Sequence, residues 1–299
     1  MPLLGKKYFL TGASGFVGKS VLSIFGQYNF QIWRRNDGFQ FDGLESIIHL
    51  AGKAHDLKNT SSSQEYYEVN TELTKKVYDS FLASNARVFI TLSSVKAVAD
   101  NVEGKLTEQH QPNPITHYGK SKLLAEQYIF SKEIPEGKRV YVLRPCMIHG
   151  PGNKGNLNLL FKIVSKGIPW PLGAFENKRS FCSIYNLMFI FKELMHRDDI
   201  PSGIYNVADD EPLSTNELVG LIAQFQNRKQ TIWNFKKGFI EGVAAFGEKL
   251  HLPFNTEHLH KLTSSYVVSN AKIKAAIGKP FPLSSREGLL KTFKTFNSQ

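Results

Sequence analysis

The segment Thr11-Gly12-Ala13-Ser14-Gly15-Phe16-Val17-Gly18 decides the fold of this chain. It follows the apolar run Tyr8-Phe9-Leu10 and precedes apolar residues whose spacing fits one helix face, Val21, Leu22, Ile24 and Phe25. Gly12 permits a tight turn, Gly15 lets the backbone approach a pyrophosphate, and Gly18 allows a helix to pack closely on a strand. The positive end of such a helix favours phosphate charge. The segment therefore predicts a strand, a glycine turn and a helix that bind a dinucleotide.

Short apolar runs and helix-length stretches alternate beyond this segment. Candidate strands lie at residues 8–10, 30–33, 47–51, 88–92 and 140–144, and candidate helices at 67–83 and 116–130. Such alternation predicts an α/β fold with a doubly wound parallel sheet of the Rossmann type. Residues 35–46 are too few for a helix and a strand, so we expect an irregular crossover there.

The character of the chain changes after Pro145. A loop, Gly150-Pro151-Gly152-Asn153-Lys154-Gly155, is followed by amphipathic helix candidates at residues 157–166, 187–195 and 216–226. We therefore expect a dinucleotide-binding domain over residues 1–150, which also receives segments around 180–210. Residues 151–299 are expected to form mainly a smaller, mixed α/β substrate-binding region.

Composition narrows the class of protein. A chain of 299 residues with 41% hydrophobic residues can bury a sizeable core. The first residues lack the apolar region of a signal peptide and no later stretch is long enough to span a membrane, so we expect a cytoplasmic protein without a membrane partner. Cys146 and Cys182 are too few for a zinc site or a disulfide framework, and we interpret both as packing residues.

The formal net charge of +11 suits an anionic partner such as a nucleotide or a sugar diphosphate. Lysines and arginines are dispersed along the chain, and no helix-turn-helix, zinc-finger or RNA-recognition motif is present. We therefore expect a solvated basic surface and no nucleic-acid partner.

Tyr118 and Lys122 stand four residues apart in a predicted helix, so both side chains project from one face. A phenol, with a reference pKa of about 10, exchanges protons near neutrality only where its phenolate is stabilised, and a neighbouring ammonium provides this. Ser93 and Ser94 end the predicted strand 88–92, at the carboxyl edge where ligands of parallel sheets bind. A hydroxyl there can hold a substrate oxygen.

The glycine turn, the strand-end serine and the Tyr-x-x-x-Lys spacing, in this order, resemble the short-chain dehydrogenase/reductase family. The chain is most similar to its extended branch, the NAD-dependent epimerase/dehydratase family acting on nucleotide sugars. Further segments follow in family order: His49-Leu50-Ala51-Gly52, Asn70, Ser93-Ser94-Val95-Lys96, Leu143-Arg144-Pro145 and His149-Gly150-Pro151-Gly152.

The resemblance implies a catalytic set in which Ser94 polarises the sugar oxygen, Tyr118 transfers its proton, and Lys122 tunes Tyr118 and grips the nicotinamide ribose. Together with the charge of Arg34 and Arg35, it predicts cofactor contacts from Gly12, Ser14, Gly15, Phe16, Val17, Gly18, Arg34, Arg35, Leu50, Ala51, Gly52, Asn70, Ser93, Tyr118, Lys122, Pro145 and Met147. It also implies hydride transfer at a sugar carbon that faces nicotinamide C4, and a homodimer formed through the Tyr118 helix.

On the substrate side, Arg179 matches an arginine that clamps the diphosphate of a UDP-sugar, and a guanidinium suits this because it can fork two phosphate oxygens. Trp170 lies in a segment similar to the one that contacts the base. Asn156, Lys154 and Lys261 are weaker candidates for the substrate site, and exposed polar positions would explain them equally well.

The second strand ends in Arg34-Arg35, where NAD-binding relatives carry an acid for the adenosine ribose. Arginines can bind a 2'-phosphate, so NADP is the favoured cofactor. The alternative is NAD, with Arg34 stacked on adenine or Asp37 supplying the acid. NADP favours a net reductase, whereas an epimerase recycles a tightly held cofactor.

Relatives that eliminate water carry an Asp-Glu pair where this chain has Val95-Lys96, so we set a dehydratase aside. The predicted activity is a UDP-4-keto-sugar reductase acting at C4 of a hexose or 6-deoxyhexosamine, and the alternative is a UDP-sugar 4-epimerase. A non-catalytic NADP-binding regulator is a further alternative, although such proteins lose the tyrosine or lysine.

The histidines suggest only one metal candidate, His258 and His260 with His251 nearby. No acidic or cysteine ligand accompanies them, so we expect no metal. His55 and His149 could instead border the sugar site.

Overall fold

A computed structural model describes residues 7–53, 62–153, 155–250 and 255–296. Its strands are β1 (Tyr8–Thr11), β2 (Phe30–Ile32), β3 (Ser46–His49), β4 (Val88–Leu92), β5 (Lys105–Leu106), β6 (Arg139–Pro145), β7 (Met147–His149), β8 (Phe181–Ser183), β9 (Gly203–Val207) and β10 (Val267–Val268).

The helices of the first half are α1 (Phe16–Phe25), α2 (Ser63–Tyr67), α3 (Leu73–Ala83) and α4 (His117–Phe130), and a π-helical turn, Glu68–Glu72, joins α2 to α3. Those of the second half are α5 (Asn156–Ser165), α6 (Ile184–His196), α7 (Thr215–Phe225), α8 (Lys237–Lys249), α9 (Thr256–Thr263), α10 (Ala271–Ile277) and α11 (Ser285–Phe296). Across the described ranges, no helix combines the length and apolar character needed to cross a membrane.

Within the described residues, the main sheet has six parallel strands in the order β2-β1-β3-β4-β6-β9. The order reverses between β1 and β3, because the chain first moves to β2 on one side of β1 and then to β3 on the other. Open α/β sheets bind ligands at the carboxyl ends of the strands beside such a reversal. The doubly wound parallel sheet predicted from the sequence is confirmed.

The crossover between β2 and β3 contains no helix, as the short spacing predicted. Aromatic packing holds it instead: the Phe39 ring stacks on Trp33 with centroids 5.6 Å apart, and the Phe41 ring meets Phe9 edge-on at 4.7 Å. Rings this close stabilise an irregular segment without a backbone ladder.

Most predicted elements differ from the observed ones by one to four residues, and two of these differences lie beside the cavity. The strand expected over residues 47–51 ends at His49, and the Leu50 and Ala51 amides that follow it donate to the Thr11 hydroxyl, at 3.1 and 3.0 Å. The helix expected over 67–83 begins at Ser63, where the Ser62 side chain caps it, and it widens into the π turn around Asn70. Such turns insert one extra residue and often occur at functional sites.

Hydrophobic clusters cover both faces of the sheet. One face carries α1 and α6 residues such as Val21 and Phe191, and the other carries α3 residues such as Val77 and Phe81. A separate cluster in the second half includes Phe161, Trp170, Ile222, Leu289 and Phe293. The strand β9 and the helix α6 return to the main sheet, although they lie beyond residue 151. The division of the chain near residue 150 stays a prediction.

Candidate active site

The glycine turn after β1 has the geometry that its glycines were expected to permit. Gly12 has φ +71°, and a Cβ on it would stand 2.5 Å from the carbonyl carbon of Leu50. A Cβ on Gly18 would stand 2.2 Å from the Gly12 oxygen. Since real Cβ atoms do not approach backbone this closely, both positions require glycine. The turn can therefore press against the end of β3 while α1 begins beside it.

A cavity of about 1080 Å³ opens at the strand-order reversal. The glycine turn, the ends of β2 and β3, and residues of the helical segment 65–76 form its walls. The predicted cofactor residues on these walls are Gly12, Ser14, Gly15, Arg34, Arg35, Leu50, Ala51 and Gly52. A volume of this order is the upper range of natural ligand pockets, which suits a ligand as large as a dinucleotide.

Arg34 and Arg35 line this cavity next to Trp33. Asp37, the acid that the NAD alternative invokes, accepts with Oδ2 a hydrogen bond of 2.8 Å from the Arg34 amide. Its carboxylate therefore closes its own turn. The two guanidinium groups bring positive charge to this wall, as a site for an extra phosphate requires.

A buried hydrogen-bond chain holds the floor of the cavity. Thr11 Oγ1 and His49 Nδ1 are 2.8 Å apart, and His49 Nε2 lies 2.9 Å from Thr74 Oγ1. Because the Thr11 hydroxyl already accepts from the Leu50 and Ala51 amides, its proton goes to Nδ1, and His49 donates from Nε2. Burial, with a further contribution from Lys122, lowers the pKa of His49 to about 3, so the ring is neutral. The sequence suggested that this segment lines the cofactor, but gave no sign of the chain.

The Asn70 and Lys122 side chains lie behind Gly52, which lines the cavity. The Asn70 side chain accepts from the Lys53 amide at 2.8 Å and donates to the Ser121 hydroxyl at 3.0 Å. A Cβ on Gly52 would lie 3.0 Å from Lys122 Nζ and 3.1 Å from Asn70 Oδ1. The π turn thus places its asparagine against the helix that carries Lys122, and Gly52 leaves the ammonium room to reach the cavity.

The Lys122 ammonium donates to the Leu92 carbonyl oxygen at 2.9 Å. Burial lowers the pKa of Lys122 to about 8, while the Glu126 carboxylate one turn along α4 acts to raise it. Glu126 is itself buried in an ion pair with Arg144 of β6, with Arg144 Nε 2.9 Å from Glu126 Oε1. Sequence reasoning missed this pair, whose only signal was a glutamate on the Tyr118 face of the helix.

Ser94 and Tyr118 form a hydrogen bond at the carboxyl end of β4. Burial raises the pKa of the Tyr118 phenol, and the bond from Ser94 acts to lower it. The Tyr66 ring lies edge-on to Tyr118, with centroids 6.2 Å apart. The phenol therefore keeps its proton at neutral pH in this environment.

The other predicted cofactor residues surround this core. Phe16 and Val17 open α1 and pack partly against the sheet cluster, and Pro145 ends β6 as a buried residue. The Ser93 hydroxyl is buried with no hydrogen-bond partner among the described residues. Met147 is exposed in β7.

The predicted substrate-binding residues lie less close together than the predicted catalytic and cofactor-binding residues. Arg179 Nε donates to the Ser264 carbonyl at 3.0 Å, and its Nη2 donates to the Lys261 carbonyl and to the Ser264 hydroxyl. Its guanidinium therefore fastens the end of α9. The Lys261 side chain pairs with Glu257, and Asn156 is the exposed first residue of α5.

Trp170 was expected in the base-contacting segment, but its side chain is only 6% exposed and packs in the second hydrophobic cluster. Its segment is held by a backbone bond of 2.9 Å to Thr231. In this structure its side chain is a packing group, and its segment's contact with a base stays a prediction.

Lys96 lies between the catalytic edge and Arg179. Its ammonium donates to the Asp100 carbonyl at 2.7 Å and sits 4.6 Å from the centre of the Tyr266 ring. Burial and the charge of Arg179 lower the pKa of Lys96, while Asp100 opposes them. Lys96 thus stands, near the Ser94 end of β4, at a position where relatives that eliminate water carry an acidic residue.

Of the histidines remaining from the sequence analysis, His260 is exposed on α9, and the others are buried or lie outside the described residues. His149 is fully buried, with Nδ1 2.9 Å from the Thr292 hydroxyl. His55, His251 and Lys154 lie outside the described residues, as does the side chain of His258. In the part of the chain that the structure describes, no group of three or more His, Cys, Asp or Glu residues could hold a metal.

Both a family model and individual known proteins match this chain. The model of a family described as "NAD dependent epimerase/dehydratase family" matches residues 8–208. The chain is similar to a UDP-glucose 4-epimerase of Vibrio cholerae, with 27% identity over 97% of this chain and 95% of the relative. It is 28% identical to an N-acetyl-alpha-D-glucosaminyl-diphospho-ditrans,octacis-undecaprenol 4-epimerase of Escherichia coli O157:H7, over 74% of this chain and 72% of the relative.

Among solved structures, the fold is similar to that of RMD from Pseudomonas aeruginosa complexed with NADPH. The TM-score is 0.72 at 20% identity, and the alignment covers 98% of this chain and 99% of the other. At this identity the likeness supports the fold.

Proposed function

This chain belongs to the NAD dependent epimerase/dehydratase family, and from that premise we propose that it is an NADP-dependent reductase of a UDP-linked 4-keto-hexose or 4-keto-6-deoxyhexosamine. NAD(P) is the cofactor of this family, and it supplies the hydride that adds to C4 of the sugar. The residues of the cavity fit such a ligand, since the glycine turn leaves backbone exposed where a pyrophosphate would lie.

Arg34 and Arg35 are the reason for proposing NADPH as the cofactor. Arg34 and Arg35 both line the cavity, and the Asp37 carboxylate is engaged by the Arg34 amide. This end of the cavity therefore offers donors for a 2'-phosphate, and neither Asp37 nor Asp42 of the same loop is among the residues that line it. A cofactor that exchanges at each turnover suits a net reduction.

The state of Tyr118 supports the direction of the proposed reaction. Because burial raises the pKa of its phenol, Tyr118 starts protonated, and the oxygen that forms at C4 during reduction needs a proton. In the proposed reaction Ser94, bonded to the same phenol, holds the sugar oxygen. Lys122, whose ammonium lies beside Gly52, holds the ribose and stabilises the phenolate after the proton has moved.

Substrate contacts are proposed for Ser94, Arg179, Asn156, Trp170 and Lys261. Arg179 has the strongest claim, because its charge lies near Lys96 and the two cations together favour a diphosphate. A cytoplasmic location and a homodimer formed through α4 stay predictions.

A UDP-sugar 4-epimerase is the second candidate. The names of the Vibrio cholerae and Escherichia coli relatives favour it, since both describe 4-epimerases. The same Tyr118 and Ser94 would first remove and then return a proton at C4, with no net use of cofactor. The second relative also widens the substrate class to a sugar on a polyprenyl diphosphate, because the diphosphate is common to both carriers.

The experiment that separates these candidates offers the purified protein two kinds of substrate. Oxidation of NADPH by a UDP-4-keto-6-deoxyhexosamine supports the reductase. Interconversion of UDP-GlcNAc and UDP-GalNAc, or of UDP-glucose and UDP-galactose, without net change in cofactor supports the epimerase. Binding of NADPH with neither activity would favour a non-catalytic regulator.

The Tyr118→Phe variant tests the mechanism in whichever assay is positive. We expect kcat to fall by about 10² to 10⁴, the usual contribution of a positioned proton donor, with cofactor binding retained. Tyr128→Phe is the matched control, because Tyr128 lies on the same helix and its hydroxyl bonds the surface residue Asp79. Full activity of Tyr118→Phe would refute the mechanism.

The Arg34→Ser, Arg35→Ser double variant tests the cofactor. We expect KM for NADPH to rise about 10- to 100-fold while KM for NADH changes little, since a charge-assisted hydrogen bond contributes about 1.5 to 3 kcal/mol. Equal effects on both cofactors would contradict the assignment of a 2'-phosphate site.

A further inference from the structure

An exposed apolar stripe runs along the outer side of α8 and the segment before it. We call it the α8 stripe, and each of its side chains is between 40% and 61% exposed: Trp233, Phe235, Phe239, Val243, Phe246 and Leu250. The aromatic members are continuous, with ring centroids 5.7 Å apart for Trp233 and Phe235 and 5.8 Å apart for Phe235 and Phe239. Contiguous exposed apolar surface on a folded protein usually marks an interaction site.

The stripe is separate from the side of α8 that packs on the protein. Ile240, Ala244 and Gly247 are the buried residues of this helix. The stripe residues from Phe239 to Leu250 follow spacings of four, three and four residues, which keeps them on one line of an α-helix. The helix therefore buries one face in the second hydrophobic cluster, through Ile240 and Ala244, and presents a second apolar face outward.

The charged residues around the α8 stripe are mainly basic. Between Arg228 and Leu250 the chain has five basic residues and two acidic ones, and all seven are exposed. Lys236 and Lys249 stand at the two ends of the helix, within about 60–80° of Phe239 around its axis, and so lie beside the stripe. Lys237 lies on another side, with its ammonium 5.9 Å from the centre of the Phe175 ring. Glu241 and Glu248 lie about 160–200° around the helix from Phe239, at 3.6 residues per turn, so they face away from it.

We propose that the α8 stripe docks this protein on an anionic membrane surface. An interfacial helix inserts aromatic and aliphatic side chains at the level of the lipid headgroups while flanking lysines meet acidic lipids. The Trp233 ring suits this depth because it has an apolar body and one polar N–H group. The formal charge of +11 on the whole chain attracts it to the same surface.

A second copy of the chain fits the stripe less well. Two α8 stripes packed parallel would set Lys236 against Lys236 and Lys249 against Lys249, and antiparallel packing would set Lys236 against Lys249. The acids of α8 face away and could not neutralise these lysines. Phosphate headgroups satisfy the same lysines in either orientation, which is why the charge pattern favours lipid.

This inference departs from the expectation that the chain has no membrane partner. That expectation rested on the lack of a membrane-spanning segment in the sequence. Among the described residues, no helix is long and apolar enough to cross a membrane, but a helix that lies on the surface of a membrane does not need to be. Exposure of the α8 stripe depends on how the helix packs, which the sequence alone did not reveal. The proposal concerns attachment to a surface and is independent of the proposed reaction.

Flotation with lipid vesicles tests the proposal on the full chain. We expect binding to phosphatidylcholine vesicles that contain phosphatidylglycerol, weaker binding to phosphatidylcholine alone, and loss of binding in high salt. The Phe239→Ser, Phe246→Ser double variant should bind at least about tenfold more weakly, since both rings are removed from the interface. Both positions are exposed, so circular dichroism should show an unchanged fold.

Tyr28→Ser is the matched control, because Tyr28 is an exposed aromatic residue, at 84%, outside the α8 stripe. It should bind as the wild type does. A blue shift of tryptophan emission on vesicle binding should vanish in Trp233→Phe, which assigns the contact to the stripe.

Three outcomes would overturn the proposal. They are no binding to acidic vesicles, equal binding by the double variant and the wild type, and binding that ignores phosphatidylglycerol. A dimer in sedimentation that the double variant converts to monomer, without vesicle binding, would assign the α8 stripe to a second copy instead.

Discussion

At the scale of single residues, the site combines groups whose protonation is set by burial. His49 is neutral within a threonine chain, Tyr118 holds its proton, and Lys122 keeps a labile one because burial lowers its pKa to about 8. Catalytic sites commonly contain such perturbed groups. The spacing of Tyr118 and Lys122 was visible in the sequence. The pKa shifts were not, because they come mainly from burial by remote segments, which Glu126 opposes at Lys122 and Ser94 opposes at Tyr118.

Lys122 predicts a dependence of stability on pH. Its pKa of about 8 in the folded state is below the unfolded value of 10.5, so the charged lysine costs stability at pH 7, and this cost is relieved as pH rises from 8 to 10.5. The Lys122→Met variant has no ammonium at this position, so its stability lacks this pH-dependent cost. From pH 7 to pH 10 the wild type should therefore gain about 2 to 3 kcal/mol relative to the variant.

Urea denaturation at the two pH values measures this difference. Lys120→Met is the control, since Lys120 is exposed on the same helix, and its difference from the wild type should stay constant. A constant difference for Lys122→Met as well would show that this ammonium is not desolvated.

At the scale of elements, close approach and buried charge fix the strands and helices that form the site. The glycine turn brings α1 against β1 and β3 without room for side chains at Gly12 and Gly18. The Glu126–Arg144 pair joins α4 to β6 and so fixes the helix that carries Tyr118. The glycine pattern was sufficient to predict the first of these junctions, because it records a local backbone requirement.

Gly18→Ala should destabilise the protein by about 1 to 3 kcal/mol, since its Cβ would overlap the Gly12 oxygen and overpacking costs this much. It should also weaken cofactor binding, because the turn must shift. Gly242→Ala in α8 is the control: its Cβ would have no neighbour within 4 Å, so the better helix former should add up to about 1 kcal/mol. Thermal unfolding and cofactor titration check both, and equal stability of the two variants would contradict the packing argument.

Glu126→Ala should cost about 3 to 5 kcal/mol, because it leaves the buried Arg144 without its partner. Replacing both residues by Met removes both charges and should cost less than either single change. The control is Glu72→Ala, which breaks an exposed pair with Lys75 and should change stability by less than about 1 kcal/mol. Chemical denaturation measures each; a double variant as unstable as the sum of the singles would refute the pairing argument.

At the scale of the whole molecule, long-range contacts join the catalytic edge of the sheet to the second half of the chain. Tyr266 donates from its hydroxyl to the Ala99 carbonyl at 2.7 Å and lies under the Lys96 ammonium. The Arg179 backbone forms isolated β-bridges with Leu213 and Tyr266. Its side chain donates hydrogen bonds to the backbone carbonyls of Lys261 and Ser264. The substrate side of the cleft therefore depends on segments more than eighty residues apart.

Arg179→Met should raise the KM of the sugar substrate about 10- to 100-fold with a smaller effect on kcat, since the proposed charge-assisted hydrogen bonds from the guanidinium to the diphosphate are lost. It should also speed hydrogen exchange of the backbone amides of residues 261–266. Lys178→Met, at the exposed neighbouring position, should change neither. A raised KM with unchanged exchange would mean that Arg179 acts on substrate alone and does not hold α9.

Sequence alone determined what short-range patterns encode. The glycine turn, the strand-helix alternation and the Tyr118–Lys122 spacing were sufficient for the fold, the family and the enzyme class, and the family match confirms that assignment. Each of these signals is local, because a backbone turn or a helix face is set by residues a few positions apart. The reductase, the NADP preference and the site assignments stay predictions.

Tertiary structure decided the burial and pairing of distant residues. It buried Trp170, turned Arg179 onto the carbonyls at the end of α9, linked Thr11 to His49 and Thr74, and left the α8 stripe exposed. None of these follows from residue type or spacing, because the free energy of a buried charge or an exposed ring depends on which remote segments pack around it.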